Sequence, residues 1–302
     1  VEIFQKAISY DSSSPFLYKS LALPYMMTGR ISDAIQACED ALNLDPNYTD
    51  VRMLLGGFYS NISKKEMAIE QFQKVIEIDP NEERAYFLLG ATYLELGLKE
   101  KALETYETLI KNKPYSFNGN YSLGMIYFGN KLYAKAAEYF KKAVEINRHS
   151  FSALKSLAQS YVLLKDYDYA IEVYRQMFED YPGDAQVYNR LGEVYLMKNS
   201  PEKALELFEE ARKANPHNIS ILLKIGSLYI DQKEYDRALD YLNMAYDVRP
   251  NNILVNYYIG AVFEAQGKYD KALEVLKRAL NSEPKSFEIR LLMGKVYEKM
   301  GF

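Results

Sequence analysis

Prolines recur along this chain at one fixed interval: Pro46, Pro80, Pro114, Pro182, Pro216, Pro250 and Pro284 share a lattice of 34 residues, and only the point at Arg148 lacks its proline. A period of that length constrains the fold more than any other feature. One period is too short to enclose a core of its own, so each must bury its apolar surface against its neighbours. The expected product is a one-dimensional stack, not the two compact domains that 302 residues alone would suggest.

Other columns fall into the same register when each repeat is counted so that its proline stands at column 32. Column 8 is small: Ala22, Gly56, Gly90, Gly124, Ala158, Gly192, Gly226, Gly260 and Gly294. Column 11 is aromatic: Tyr25, Tyr59, Tyr93, Tyr127, Tyr161, Tyr195, Tyr229, Phe263 and Tyr297. Column 20 is always alanine, from Ala34 to Ala272. Small residues at columns 8 and 20 let two helix backbones approach, while Leu, Tyr and Phe at spacings of three and four fill the space around them. Each period is therefore expected to form two antiparallel helices. The proline should stop the second helix, glycines such as Gly29, Gly97 and Gly267 should make the turn, and Pro15 after Ser14 and Pro201 after Ser200 should open helices behind an N-cap.

These columns resemble the tetratricopeptide repeat family, a helix-turn-helix of 34 residues with small, aromatic, alanine and proline positions at these offsets. The resemblance implies an all-α, right-handed α-solenoid: a single array with full repeats at 15–48, 49–82, 83–116, 117–150, 151–184, 185–218, 219–252 and 253–286. Residues 1–14 would be a second helix without its first, and 287–302 a first helix without its second. Leu291, Leu292 and Val296 would then be partly uncovered, and weak self-association through the two ends is expected. Two departures are apparent. Column 4, often Trp in the family, includes Tyr18, Tyr86 and Tyr188 and is expected to remain apolar, and Cys38 takes an aromatic place at column 24.

Catalytic chemistry finds little support. Cys38 is the only cysteine, which excludes internal disulfides and multi-cysteine zinc sites, and His149 and His217 lie apart beside helix breaks. No metal or cofactor is expected. Phosphate-binding glycine loops, nucleophile elbows and dinucleotide fingerprints are absent from the sequence. Paired acids such as Glu82-Glu83 and Glu209-Glu210 read as solvated faces, and most of the 28 tyrosines as packing. With 37 Lys and Arg against 41 Asp and Glu, the chain has no global field for nucleic acid. No apolar run approaches the roughly 18 residues that span a bilayer, so no membrane insertion is expected. The start at Val1, without Met or a signal design, suggests a segment processed or excised from a longer chain. The cytoplasm is the favoured compartment, with a periplasmic or membrane-anchored placement as the alternative.

In the family, columns 2, 5, 6, 9, 12 and 13 of the first helix face the concave groove. The first four repeats place Phe16, Leu23, Met26, Met27, Met53, Leu54, Phe87, Leu88, Leu94, Tyr121, Met125 and Phe128 there, an apolar set that either binds a partner or packs between neighbouring repeats. Pro24, ten residues into its helix, should kink it or be tolerated as a local defect. Repeats five to seven replace the apolar set with Lys155, Gln159, Gln186, Asn189, Arg190, Glu193 and Lys224, a polar stretch with a basic centre. Lys155 and Lys224 resemble two members of the carboxylate clamp that holds chaperone tails, but Gln159, Arg190 and Ser220 stand where that clamp has Asn, Asn and Lys. Repeat eight returns to Leu254, Tyr257 and Tyr258.

The resemblance thus implies a non-catalytic scaffold that binds an extended or helical segment of a partner protein in its groove. The alternative is the recognition arm of a larger enzyme, such as a glycosyltransferase. Arrays fused to sugar transferases carry an Asn ladder at column 6, which Ser20, Leu54, Leu88, Ser122, Ser156, Arg190, Lys224 and Tyr258 do not reproduce.

Overall fold

The structure, a computed structural model, describes all 302 residues and contains eighteen α-helices and no strand. By its contacts the chain divides into two compact halves, Val1–Ser160 and Tyr161–Phe302. First helices start at column 1 of each repeat: α2 (Pro15–Met27), α4 (Thr49–Asn61), α6 (Glu83–Glu95), α8 (Phe117–Gly129), α10 (Phe151–Leu164), α12 (Ala185–Met197), α14 (Ile219–Asp231), α16 (Ile253–Ala265) and α18 (Phe287–Lys299). Second helices start at column 17: α3 (Ile31–Leu44), α5 (Lys65–Ile78), α7 (Lys99–Asn112), α9 (Tyr133–Ile146), α11 (Tyr167–Asp180), α13 (Pro201–Ala214), α15 (Tyr235–Val248) and α17 (Tyr269–Ser282). The chain opens on α1 (Glu2–Tyr10). Within the N-terminal half α2 pairs with α3, α4 with α5, α6 with α7 and α8 with α9, and α3 packs on α4, α5 on α6 and α7 on α8; α12 to α18 repeat the scheme in the C-terminal half.

Packing explains the invariant columns. Every alanine at column 20 is fully buried. A Cβ added at Gly192 would stand 2.6 Å from the Phe208 ring, so the column-8 glycine is the floor on which the column-24 side chain lies. Column 11 uses its hydroxyl as well as its ring. Gln5 donates to Tyr25, Tyr59 donates to Glu39, Gln73 donates to Tyr93 and Arg175 donates to Tyr195, in each case between column 11 and column 25 of the preceding repeat, at 2.8 to 3.1 Å.

Between the two helices of each repeat, column 15 adopts positive φ. Gly29, Gly97 and Gly267 do so as expected, and Ser63, Lys131, Lys165, Asn199 and Lys233 do so without being glycine. Two backbone bonds enforce the turn, for example Lys131 N to Phe128 O at 2.9 Å and Leu132 N to Tyr127 O at 2.9 Å, the pattern of a Schellman cap.

Two expectations are corrected. Column 4 is not uniformly apolar: Arg52, Asn120 and Asn256 stand there, and they donate to the carbonyls of Pro46, Pro114 and Pro250 at 2.6, 3.0 and 2.7 Å, while the Tyr86 hydroxyl donates to Pro80 at 3.2 Å. The lattice proline thus supplies an acceptor to the next repeat. Ser14 and Ser200 occupy the N-cap positions before Pro15 and Pro201 as expected, without a side-chain capping bond; at other first helices Ser116, Asp184, Asn218 and Asn252, all at column 34, do accept from the first turn. At the last helix Leu291 is 63% exposed, whereas Leu292 and Val296 are buried against α17. As the register implied, Arg148 leaves the frame unchanged: α9 still ends at Ile146 and α10 starts at Phe151. α2 continues through Pro24, and the Thr28 hydroxyl donates to the Pro24 and Tyr25 carbonyls at 3.0 Å.

Candidate functional site

First helices expose the columns that their second helices do not cover, because columns 8 and 11 turn toward the partner helix and leave columns 2, 5, 9 and 12 on another face. In the N-terminal half Met27 is 87% and Phe16 62% exposed, with Leu23, Phe87, Leu94 and Met125 also exposed. Met26, Met53, Leu54, Leu88, Tyr121 and Phe128 are half-buried. None of the twelve is in the core. Two are nevertheless committed to packing: Tyr121 stacks on Phe117 at 5.8 Å and meets Phe140 at 5.6 Å, and Phe128 meets Tyr133 at 5.4 Å. Lys155, later in the same half, is exposed.

In the C-terminal half the sequence-derived residues converge. Lys224, Tyr258 and Leu254 line one cavity of about 350 Å³, joined there by Leu223 and Ser227. A second cavity of about 440 Å³ is lined by Gln186, Asn189, Asn218 and Ser220, and Ser220 belongs to both. Tyr257 meets Tyr258 edge to face at 5.6 Å. The result is a polar, amide-rich end beside an apolar one. Leu223 and Asn218 were not singled out in the sequence, although Leu223 stands at a groove column and Asn218 at the capping column.

Charge in this half departs from the expected basic centre. The Lys224 ammonium is held by the Glu193 carboxylate and by Asn189 Oδ1 at 2.7 Å, and Arg190 pairs with the same carboxylate at 2.9 Å. Two cations share one anion, so the local excess is a single positive charge. Nearby, burial pushes the Tyr174 hydroxyl up to about 12, against the opposing pull of Arg190. Another groove column carries a charge that sequence reasoning missed: Glu264 is only 6% exposed and pairs with Lys299 at 2.5 Å and Lys295 at 3.4 Å on α18. Burial alone would raise its carboxyl, but the two ammonium groups hold it below the usual carboxylate range.

No helix is long and apolar enough to cross a membrane. Sequence profiles of the tetratricopeptide repeat match residues 87–151, 155–219 and 195–257, and a further TPR repeat profile matches 64–97 and 262–301. Among solved structures, YrrB, described as a TPR protein with an unusual peptide-binding site, is 22% identical, covering 62% of this chain and 97% of its own, with a TM-score of 0.53. MamA is 25% identical over 57% of this chain and 94% of its own, with a TM-score of 0.51. A tetratricopeptide repeat protein from Parabacteroides merdae is 19% identical over 82% of this chain and 98% of its own, with a TM-score of 0.52. These likenesses are of fold. No protein of curated function matches the sequence significantly.

Proposed function

The chain belongs to the tetratricopeptide repeat family, and we propose that it is a non-catalytic scaffold whose first-helix faces bind a segment of a partner protein. The observation that carries this reading is the apolar face of the N-terminal half. Phe16, Leu23, Met27, Phe87, Leu94 and Met125 are large side chains left in water at groove columns, although the core is complete without them. Methionine and leucine there suit an apolar ligand whose shape is not rigidly specified. In the C-terminal half the cavity beside Leu254 and Tyr258 suits an apolar side chain, and the amide-rich cavity next to it offers hydrogen bonds to a peptide backbone. The YrrB description, a TPR protein with a peptide-binding site, is consistent with this use of the fold.

The test starts from partners captured in the source cell. Replacing Phe87, Leu94 and Met125 together by glutamine should weaken a captured partner at least about tenfold while leaving helix content intact, since anchors of this kind dominate binding energy. Tyr121 is avoided because its ring packs on Phe117 and Phe140. Charge reversal at Lys155 should mainly slow association and reduce its salt dependence. Unchanged affinity in the triple variant would place binding elsewhere on the molecule.

A further inference from the structure

The largest of the cavities described, about 510 Å³, lies off the groove, in the furrow between α5 and α7 with α6 beneath it. α6 presents Tyr86, Leu89 and Tyr93 to this furrow, whereas its groove residues Phe87, Leu88 and Leu94 take no part in it. Both phenol rings are fixed. The Tyr86 hydroxyl donates to the Pro80 carbonyl and accepts from Asn112 at 3.2 Å, and the Tyr93 hydroxyl accepts from Gln73 at 3.1 Å. Thr105 forms the α7 wall with its hydroxyl turned back to the Lys101 carbonyl at 2.7 Å.

Equivalent furrows in other repeats show what such a space accepts. Thirty-four residues on, column 23 is Tyr139, and its ring lies parallel to the column-11 ring of Tyr127, 5.4 Å away at 3°. In repeat seven Tyr241 stacks on Tyr229 in the same columns, at 5.6 Å and 19°. In repeats one and five the column-11 ring is covered by another planar group, Arg30 over Tyr25 at 4.4 Å and Tyr169 on Tyr161 at 5.3 Å, while in repeats six and eight a column-19 lysine stands over it and the column-23 residue is the aliphatic Leu207 or Val275. Tyr93 has only the Lys101 ammonium, 5.6 Å from its centroid, and at column 23 a threonine too small to reach across its face.

We propose that the α5/α7 furrow is a second binding site, which takes an aromatic side chain of a partner polypeptide against Tyr93, in the place that Tyr139 and Tyr241 hold in their own repeats. A preformed cavity with both wall hydroxyls pinned needs little reordering to bind, and offset stacking adds to the area buried. Position decides the class of ligand: the furrow is open to solvent rather than enclosed, so it suits a ring presented from a chain running over the surface more than a buried metabolite.

The experiment titrates N-acetyl-L-tyrosinamide into the 15N-labelled protein and follows the backbone amides of Gln73, Thr105 and Thr108. Those amides are expected to shift saturably, and at least about threefold more than with N-acetyl-L-leucinamide, because an aliphatic group fills volume but cannot stack. Thr105→Tyr, which installs the residue that repeats four and seven carry, should abolish the response, and Thr105→Leu, the choice of repeat six at Leu207, serves the same purpose should the first variant fold poorly. Absence of a saturable shift, or an equal shift in the plugged variants, overturns the proposal. Free L-tyrosine binding about tenfold more tightly than the amide would overturn the partner-side-chain assignment, since the charged termini would then carry recognition. Variants of Phe87, Leu94 and Met125 leave this furrow intact, so failure of the groove reading and failure of this one are separable.

Discussion

Column 15 is a residue that the backbone, not the side chain, dictates. Lys131, Lys165 and Lys233 hold φ of 60, 64 and 61°, where an L side chain crowds its own carbonyl. Exchanging any one of them for glycine should stabilise the array by about 1 kcal/mol, less the extra freedom glycine gives the unfolded chain. Gly97→Ala should do the reverse. Urea midpoints decide the matter, and a destabilised Lys131→Gly would contradict the strain argument. The sequence disclosed this column only where it happened to be glycine, because closure by two backbone bonds leaves no mark on the other side chains. Column 4 misled for a different reason: its tyrosines led to the expectation of an apolar column, whereas Arg52, Asn120 and Asn256 serve there as donors to the proline carbonyl six positions earlier, as the Tyr86 hydroxyl also does. Titration gives a second test at this scale. Burial first, and then Glu39, push the Tyr59 hydroxyl up to about 12, and Tyr174 reaches about 12 by burial. An unfolded tyrosine titrates near 10, so the folded state holds these protons more firmly. Their contribution is complete below pH ~10 and is lost as pH rises from ~10 to ~12. Denaturant midpoints should fall across that window, and Tyr174→Phe should flatten the fall.

Helices in this chain are specified by pairs, and their pairing was the most legible part of the fold. The 34-residue spacing of column 8, column 20 and the proline implied both helices of every repeat, because each column is a contact between two backbones. What it did not convey was how the terminal helix is held. α18 buries Ile289, Leu292 and Val296 against α17, and it is also tied by Lys295 and Lys299 to Glu264 on α16. The folded carboxyl is depressed below its ordinary value, so this tie is present above the unfolded pKa of about 4.3 and is lost as pH falls through the lower folded value. Hydrogen exchange, corrected for the intrinsic rate, should show α18 opening more readily near pH 3 than near pH 6, and Glu264→Gln should remove most of that difference. Equal protection at both pH values would mean that apolar packing alone holds the helix.

At the scale of the whole molecule, repetition sets both stability and the placement of function. Which first-helix columns stay uncovered could be read because a repeat fixes the side its partner helix takes, and the twelve apolar residues of the N-terminal half are exposed or half-buried. Charge could not be read in the same way: Glu193, already paired with Arg190 one turn away on α12, also holds Lys224 of the next repeat, an arrangement visible only when α12 and α14 are side by side. Stability should obey the same neighbour logic. Contacts run mainly from each helix to those adjacent in sequence, with lighter ones between successive first helices such as α14 and α16, so stability is expected to be local plus nearest-neighbour. Gly192→Leu drives a side chain into the Phe208 ring, where even a Cβ would stand at 2.6 Å. The expected loss is more than about 1 kcal/mol through overpacking. That loss should appear as faster hydrogen exchange in α12, α13 and the adjoining α14, while amides of α4 to α7 keep their protection, because those helices share no contact with the altered site. Uniform loss of protection from α2 to α17 would instead show that the array opens as one cooperative body, and the nearest-neighbour account would have to be abandoned.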